Sequence, residues 1–257
     1  MDTNINKITS LDNQLVKKLV KLNNKKYREE YQEFIIEGYH LVNEAYDNNY
    51  LKEVYCIDEK DVTKYKNIKS YLVTSEIINK VSTTTSPQKI IGISKLLNNV
   101  DINQYLNNDN KIVILDEIND PGNLGTIIRT AAALGYNLIA MSSNTVDIYN
   151  SKVIRSTQGT IYHTNIYIGD IKELIINLKE HHYKVYGTSL HNAVNLNDVE
   201  SSKRMAIIFG NEARGTKEEL LSLTTKNIIL PMENNVESLN VAVACGIIMY
   251  ELKRGCK

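Results

Sequence analysis

The sequence predicts an α/β fold: a mostly parallel sheet in the C-terminal part, preceded by a smaller α/β unit. Three observations lead there. Short, nearly uninterrupted apolar runs at 111–116 and 205–210 have the character of parallel strands covered on both faces. Helix-like stretches alternate with such runs along the chain. The loops that end three of the strands are rich in glycine, asparagine and charge. In open α/β sheets that carboxyl edge is where ligands bind.

The bulk properties set bounds. With 257 residues, the chain is long enough for one large domain or two modest ones. A hydrophobic share of 42% and a charged share of 23% are those of a soluble globular protein, expected in the cytoplasm. Thirty basic and thirty acidic side chains cancel, so any nucleic-acid surface must come from local clustering. Met1 is followed by no basic n-region and no apolar core, so no signal peptide is expected. Cys56, Cys245 and Cys256 form neither a disulfide framework nor a metal pattern, and the histidines include no HExxH. No metal and no membrane partner is expected.

A helix is expected over 10–22, capped by Ser10, with Leu11, Leu15, Leu19 and Leu22 on its apolar face. Lys17, Lys18, Lys21, Lys25, Lys26 and Arg28 crowd its other side. Such a charge run is usually a solvated face; the functional alternative is an edge that contacts phosphates. A strand at 33–38 ends in Glu37-Gly38, and a helix follows to Asn48. Further strands are read at 54–57 and 70–73, and the segment Ser82-Thr83-Thr84-Thr85-Ser86-Pro87-Gln88 precedes an apolar run to Ile93. This first unit is placed at 1–97. Residues 98–110 are asparagine- and aspartate-rich with little periodicity and read as a linker.

The second unit is placed at 111–257. Strands are read at 111–116, 137–141, 164–168, 184–187, 205–210 and 227–230. Helices are read at 127–134, near 150–158, at 171–181, at 216–223, and from 241 onward. The unbroken apolar run 241–250 is half of the ~20 residues a membrane span requires, so it reads as a buried helix, with Ser238 as its N-cap.

Three loops carry the candidate chemistry. In the first, 119–129, glycines permit close backbone approach, a helix N-terminus offers amide donors, and Arg129 follows beside small alanines. A surface ion pair or a planar clamp on a phosphate or developing oxyanion would each explain that arginine. The second loop, Gly210-Asn211-Glu212-Ala213-Arg214-Gly215, sets both charges against a bare backbone after an apolar strand. The third, Leu230-Pro231-Met232-Glu233-Asn234-Asn235, leads to Ser238-Leu239-Asn240 and the last helix. Neither GxGxxG nor GxxxxGK[ST] is present, and no Ser–His–Asp or Cys–His set gathers around His163 or His191.

Together, DPGNLGTIIRTAAALG, IIFGNEARG and LPMENNVESLNVAVA resemble the three ordered motifs of the SpoU/TrmH family of RNA ribose 2′-O-methyltransferases, in the SPOUT superfamily. The segments KYREEYQEFIIEGYHLVNEA and STTTSPQKIIGI resemble that family's N-terminal substrate-binding domain, similar to a fold of RNA-binding ribosomal proteins. The resemblance implies a C-terminal trefoil knot, a homodimer, and S-adenosyl-L-methionine as cofactor. It implies a cofactor crevice lined by Thr188, Ser189, Gly210, Asn211, Leu230, Met232, Ser238 and Leu239. Arg129, Glu212, Ser238 and Asn240 fall on the family's catalytic motif positions, and Asn123 on its first-motif asparagine. Asn123, Arg129, Lys26 and Arg28 are the expected RNA contacts. Ala213 stands where a glycine is common, and Asn234-Asn235 replaces a glycine-containing turn, which asparagine's tolerance of positive φ allows. The implied activity is 2′-O-methylation of structured RNA, with 23S ribosomal RNA favoured by the N-terminal domain. A transfer-RNA methyltransferase or a non-catalytic RNA-binding homologue are the alternatives.

Overall fold

The computed structural model describes residues 6–234 and 238–255. They divide into two compact units. The first takes the residues up to Leu97 together with Tyr149–Tyr162, and the second takes Asn98–Ile148 with the residues from His163 on.

In chain order the first unit contains β1 (Asn6–Ile8), α1 (Gln14–Leu22), α2 (Lys25–Tyr31), β2 (Glu33–Glu37) and α3 (Tyr39–Asp47). It continues with β3 (Leu51–Cys56), α4 (Glu59–Val62), β4 (Lys69–Val73), α5 (Ser75–Val81) and β5 (Ile90–Lys95). The sheet order is β1-β4-β3-β5-β2, with β5 antiparallel to both its neighbours. Ile35, Tyr55, Ile91 and Ile93 from the strands bury against Val16, Leu19, Leu22, Ile77 and Ile78 from the helices.

The structure corrects the expectation for the first helix. Asn13, not Ser10, caps α1, its side chain accepting from the Leu15 amide at 2.8 Å. The buried face is Val16, Leu19 and Leu22, while Leu11 is exposed. Lys25, Lys26 and Arg28 belong to a separate helix, α2, capped by Asn24. Within it Arg28 points inward. Only 7% exposed, it donates Nη1 to the Leu22 carbonyl at the C-terminus of α1 (3.0 Å), so it does not lie on the exposed lysine face. A helix C-terminus leaves such carbonyls without intrahelical donors, and a guanidinium satisfies one of them here.

The two N-terminal motifs acquire a structural meaning. Glu37 accepts from Ser82 Oγ (2.6 Å) and from the Thr83 amide (3.3 Å), which fixes the 82–88 turn. Gly38 takes φ 97, and the Gln88 side chain packs 3.3 Å from where a Cβ would sit. Thr83 Oγ1 donates to Ser151 Oγ (3.0 Å) and accepts from Arg155 Nη1 (3.2 Å). Residues 149–162, expected inside the 111–257 domain, therefore pack as part of the first unit through α8 (Ser151–Thr157).

The second unit contains α6 (Asn103–Leu106), β6 (Lys111–Leu115), α7 (Pro121–Leu134), β7 (Leu138–Met141), β8 (Asn165–Ile168), α9 (Ile171–Glu180) and β9 (Lys184–Thr188). After these come β10 (Val194–Asn195), β11 (Met205–Phe209), α10 (Glu218–Leu221), β12 (Lys226–Ile229) and α11 (Val241–Arg254). All pairings in its seven-stranded sheet are parallel, in the order β10-β12-β9-β11-β6-β7-β8. β7 and β11 are buried throughout, and β6 is buried but for Lys111, as their continuous apolar sequence requires.

Residues 98–110 are not a free linker. The Val100 amide donates to the Ile166 carbonyl (3.0 Å), and Ile102 and Leu106 sit in the core with Ile112 and Leu174. The final helix also departs from expectation. Ala242, Cys245, Ile248, Met249 and Leu252 are buried, but Val243, Ile247 and Tyr250 are 51%, 39% and 51% exposed. Their spacing places these three on one face of the helix.

Candidate active site at the edge of the parallel sheet

Parallel strands all end at the same edge. The order β12-β9-β11-β6 therefore puts four loops side by side: those after Ile229, Thr188, Phe209 and Leu115. Nearly every residue singled out for catalysis or cofactor binding lies in them.

The first loop is built by an N-cap. Asp120 accepts from the Asn123 amide at 2.8 Å, Pro121 occupies the first helical turn where it forfeits no hydrogen bond, and α7 begins. Glu212, from the second loop, reaches across to it. Its carboxylate accepts from the amides of Asn119 and Asp120 and from Asn123 Nδ2, each at 3.1 Å. Asn123 Oδ1 in turn accepts from Asn240 Nδ2 (2.9 Å). Asn240 Oδ1 accepts from the Ala242 and Val243 amides at 2.9 and 3.3 Å. A carboxylate only accepts, so Asn123 must face Glu212 with its amide nitrogen, and the orientation of Asn240 follows from that. One chain of hydrogen bonds thus laces all three motif loops.

This chain also identifies the cap of α11. It is Asn240, not Ser238. Ser238 is exposed and makes no hydrogen bond among the described residues. Burial pushes the Glu212 carboxyl up, but the hydrogen bonds from Asn123 and from the Asp120 and Asn119 amides prevail and hold it below the usual carboxylate range. The group is charged at neutral pH and acts as an acceptor.

The second loop closes on itself. The Asn211 and Gly215 amides each donate to the other's carbonyl, at 3.1 and 2.8 Å. Asn211 Oδ1 takes the Ala213 and Arg214 amides. A Cβ on Gly210 would lie 2.2 Å from the Thr216 amide nitrogen, so only glycine fits there. In the neighbouring loop Thr188 Oγ1 donates to the Ile208 carbonyl (2.9 Å), and the Ser189 amide donates to the Ile228 carbonyl (3.1 Å). Leu230 and Met232 are half-buried and Leu239 is 40% exposed, an apolar lining at a polar edge. Asn234 takes φ 58, the left-handed conformation expected of this asparagine; its neighbour Asn235 lies outside the described residues.

Arg129 is different. It is exposed on α7 and has no hydrogen bond or ion pair among the described residues. In the first unit, Lys26 is exposed with Nζ 5.9 Å from the Tyr27 ring, and Lys21 stands 5.2 Å from the same ring. Among the described residues no cluster of His, Cys, Asp and Glu could hold a metal. No described helix is long and apolar enough to cross a membrane.

The sequence reading missed Glu117, the residue after Asp116 at the end of β6. Its carboxylate pairs with Lys217 and Arg214 of the second loop. The signal was available in the two adjacent acids at a strand end, facing a loop with two cations.

A parallel sheet with three interlocked loops at one edge is the arrangement of an rRNA methylase: residues 110–250 match the SpoU rRNA methylase family. Residues 13–92 match the MRM3-like substrate-binding domain. The chain belongs to the SpoU rRNA methylase family, as its motifs implied. It is 35% identical over 249 residues to the 23S rRNA (guanosine(2553)-2′-O)-methyltransferase RlmP of Bacillus subtilis, covering 96% of this chain and 98% of that one. An uncharacterized tRNA/rRNA methyltransferase of Synechocystis is 29% identical, over 99% of this chain and 96% of its own. The fold superposes on the crystal structure of an AdoMet-bound rRNA methyltransferase from Sinorhizobium meliloti with a TM-score of 0.90 at 28% identity, covering 98% and 99% of the two chains.

Proposed function

We propose that this protein transfers the methyl group of S-adenosylmethionine to a ribose 2′-oxygen of 23S ribosomal RNA in the cytoplasm. The observation that carries the reading is the hydrogen-bonded chain Glu212–Asn123–Asn240, which locks the three family motifs into one edge of the sheet. The B. subtilis relative, named as a 23S rRNA 2′-O-methyltransferase, supports the substrate class. The AdoMet-bound S. meliloti structure supports the cofactor.

The residues present fit that cofactor. Gly210 leaves its peptide bare because no side chain can be accommodated, and Leu230, Met232 and Leu239 offer apolar surface beside it. Thr188, Ser189 and Asn211 complete the lining. When bound, the cofactor supplies an electrophilic methyl on a sulfonium, and its departure as a neutral thioether requires no acid.

What remains is alignment of the ribose oxygen and management of its proton. A guanidinium offers donors and no acceptor, so Arg129 serves as a clamp on the adjoining phosphate and as an electrostatic partner for the emerging alkoxide rather than as a base. Glu212 is engaged by three N–H donors and positions the first loop. Asn240 is taken up as helix cap and as donor to Asn123. That leaves Ser238, whose hydroxyl has no partner among the described residues, to orient the 2′-OH.

The exposed face of α11 supports a homodimer. Val243, Ile247 and Tyr250 lie on a helix packed against α7, which exposes Thr126, Arg129 and Ala133. A C-terminal knot is supported by the strand order: β12 lies beyond β9, yet α11 returns to pack on α7 and β11. For RNA, the reading keeps Asn123, Arg129 and Lys26 as contacts and drops the buried Arg28. Mapping ribose methylation in ribosomal RNA from cells with and without the gene tests the proposal. Loss of one 23S 2′-O-methyl group is expected, and an unchanged map would refute it.

A further inference from the structure

We propose that Glu117 is a positioning residue of this site, fastening the 210–217 loop to the loop after β6 through ion pairs with Lys217 and Arg214. The inference rests on the methyltransferase reading above and adds a residue to it.

Glu117 has φ 57, in the left-handed region that L side chains other than asparagine and aspartate rarely enter. Strain of this kind persists only where the surroundings over-determine it. Here they do. The Glu117 amide donates to Ser142 Oγ (2.9 Å), and its carbonyl accepts from Asn211 Nδ2 (2.9 Å). Oε1 accepts from Lys217 Nζ (2.8 Å) and Asn144 Nδ2 (3.2 Å), and Oε2 accepts from Arg214 Nη2 (3.2 Å). Every polar group of the residue is spent on tying loops together. Asp116, buried beside it, adds a second carboxylate 3.6 Å from Lys217 Nζ.

The arrangement is reciprocal. Glu212 of the second loop holds amides of the first, and Glu117 of the first loop holds the cations of the second. Gly210 and Asn211, which line the cofactor crevice, lie between these two fastenings. A glycine would suit the backbone at 117 better, so the carboxylate is retained for what it holds. Loosening it frees the 210–217 loop without touching any group that meets the ribose.

The test is equilibrium binding of labelled S-adenosylmethionine, with steady-state kinetics and thermal melting, on Glu117→Gln, Glu117→Gly and Glu117→Asp. Glu117→Gln and Glu117→Gly are expected to weaken cofactor binding and raise its KM about tenfold, with kcat within about threefold of wild type. Glu117→Gly should melt no more than a few degrees below wild type, because the backbone is relieved, and Glu117→Asp should recover part of the affinity. The pair Arg214→Gln/Lys217→Gln should reproduce the defect, and adding Glu117→Gln to it should change nothing further. The Arg214 side chain is 75% exposed and that of Lys217 42%, so that arm holds even if a Glu117 variant fails to fold. Wild-type affinity in both Glu117→Gln and the Arg214/Lys217 pair, or effects that simply add, would overturn the inference alone. A wild-type protein that binds no S-adenosylmethionine would overturn the functional reading and this inference with it.

Discussion

Two regions of the second unit meet at the start of α7 and could hardly differ more. On one side, Glu212, Asn123 and Asn240 satisfy one another, and the loop that follows β11 folds back on its own amides. On the other, Arg129 stands exposed without a partner among the described residues, and Val243, Ile247 and Tyr250 leave an apolar face in water. The first region is finished within one chain. The second is chemically incomplete, with a charge and an apolar stripe that other molecules would cover. In the functional reading this separates the work: the closed region grips the methyl donor, and the open region meets RNA and a second copy.

The contrast can be broken at several points. The largest effect is expected for Arg129→Ala, which should lower turnover by roughly 10²–10³-fold while the protein melts as wild type. Near-normal turnover would remove Arg129 from the chemistry. Next comes the apolar face. Val243→Asp with Ile247→Asp should convert a dimer into a folded monomer in light scattering and abolish most activity, since burying two carboxylates in an apolar contact is prohibitive. A protein that is monomeric before the change would refute the dimer.

Smaller effects belong to the closed region. Gly210→Ala places a methyl 2.2 Å from the Thr216 amide nitrogen, so the loop must shift, and cofactor affinity should fall about tenfold. Asn123→Ala and Asn240→Ala each break the same chain of hydrogen bonds. Their combined cost in thermal stability should fall short of the sum, and strict additivity would show that the chain is not one unit.

The smallest effect is that of pH. Glu212 is held below its ordinary value of 4.5, so its contribution is complete above that value and is lost only as pH falls through the lower, folded-state value. Cofactor binding should be flat from neutral down to that value and decline below it. In Glu212→Gln the acid limb attributable to this group should vanish.

Much of this was legible in the sequence. The strands 111–115 and 205–209 announce themselves as continuous apolar runs, but the helix read at 127–134 in fact starts at Pro121, because Asp120 caps it and the glycines of the first loop are taken into its first turns. The three motif loops were recognisable as a set. What could not be read depended on tertiary partners. Ser238 and Asn240 are both good caps by type, and the hydrogen bond to Asn123 decides between them. In 98–110, asparagines mask the few apolar residues that reach the core, Ile102 and Leu106. Because α11 is apolar almost throughout, no periodicity separated its covered face from its exposed one. Arg28 sits in a run of lysines, and only the fold turns it inward. The attachment of 149–162 to the first unit rests on long-range contacts such as Thr83 with Ser151, Tyr162 with Ser94 and Phe34 with Tyr149, which no local pattern announces.

The most direct measurement is equilibrium dialysis of labelled S-adenosylmethionine against Arg129→Ala and Glu212→Ala side by side. The division between a closed donor grip and an open substrate face predicts wild-type affinity for Arg129→Ala. For Glu212→Ala it predicts a loss of about tenfold or more, because three donors lose their acceptor. Equal affinity in Glu212→Ala, or lost binding in Arg129→Ala, would contradict it.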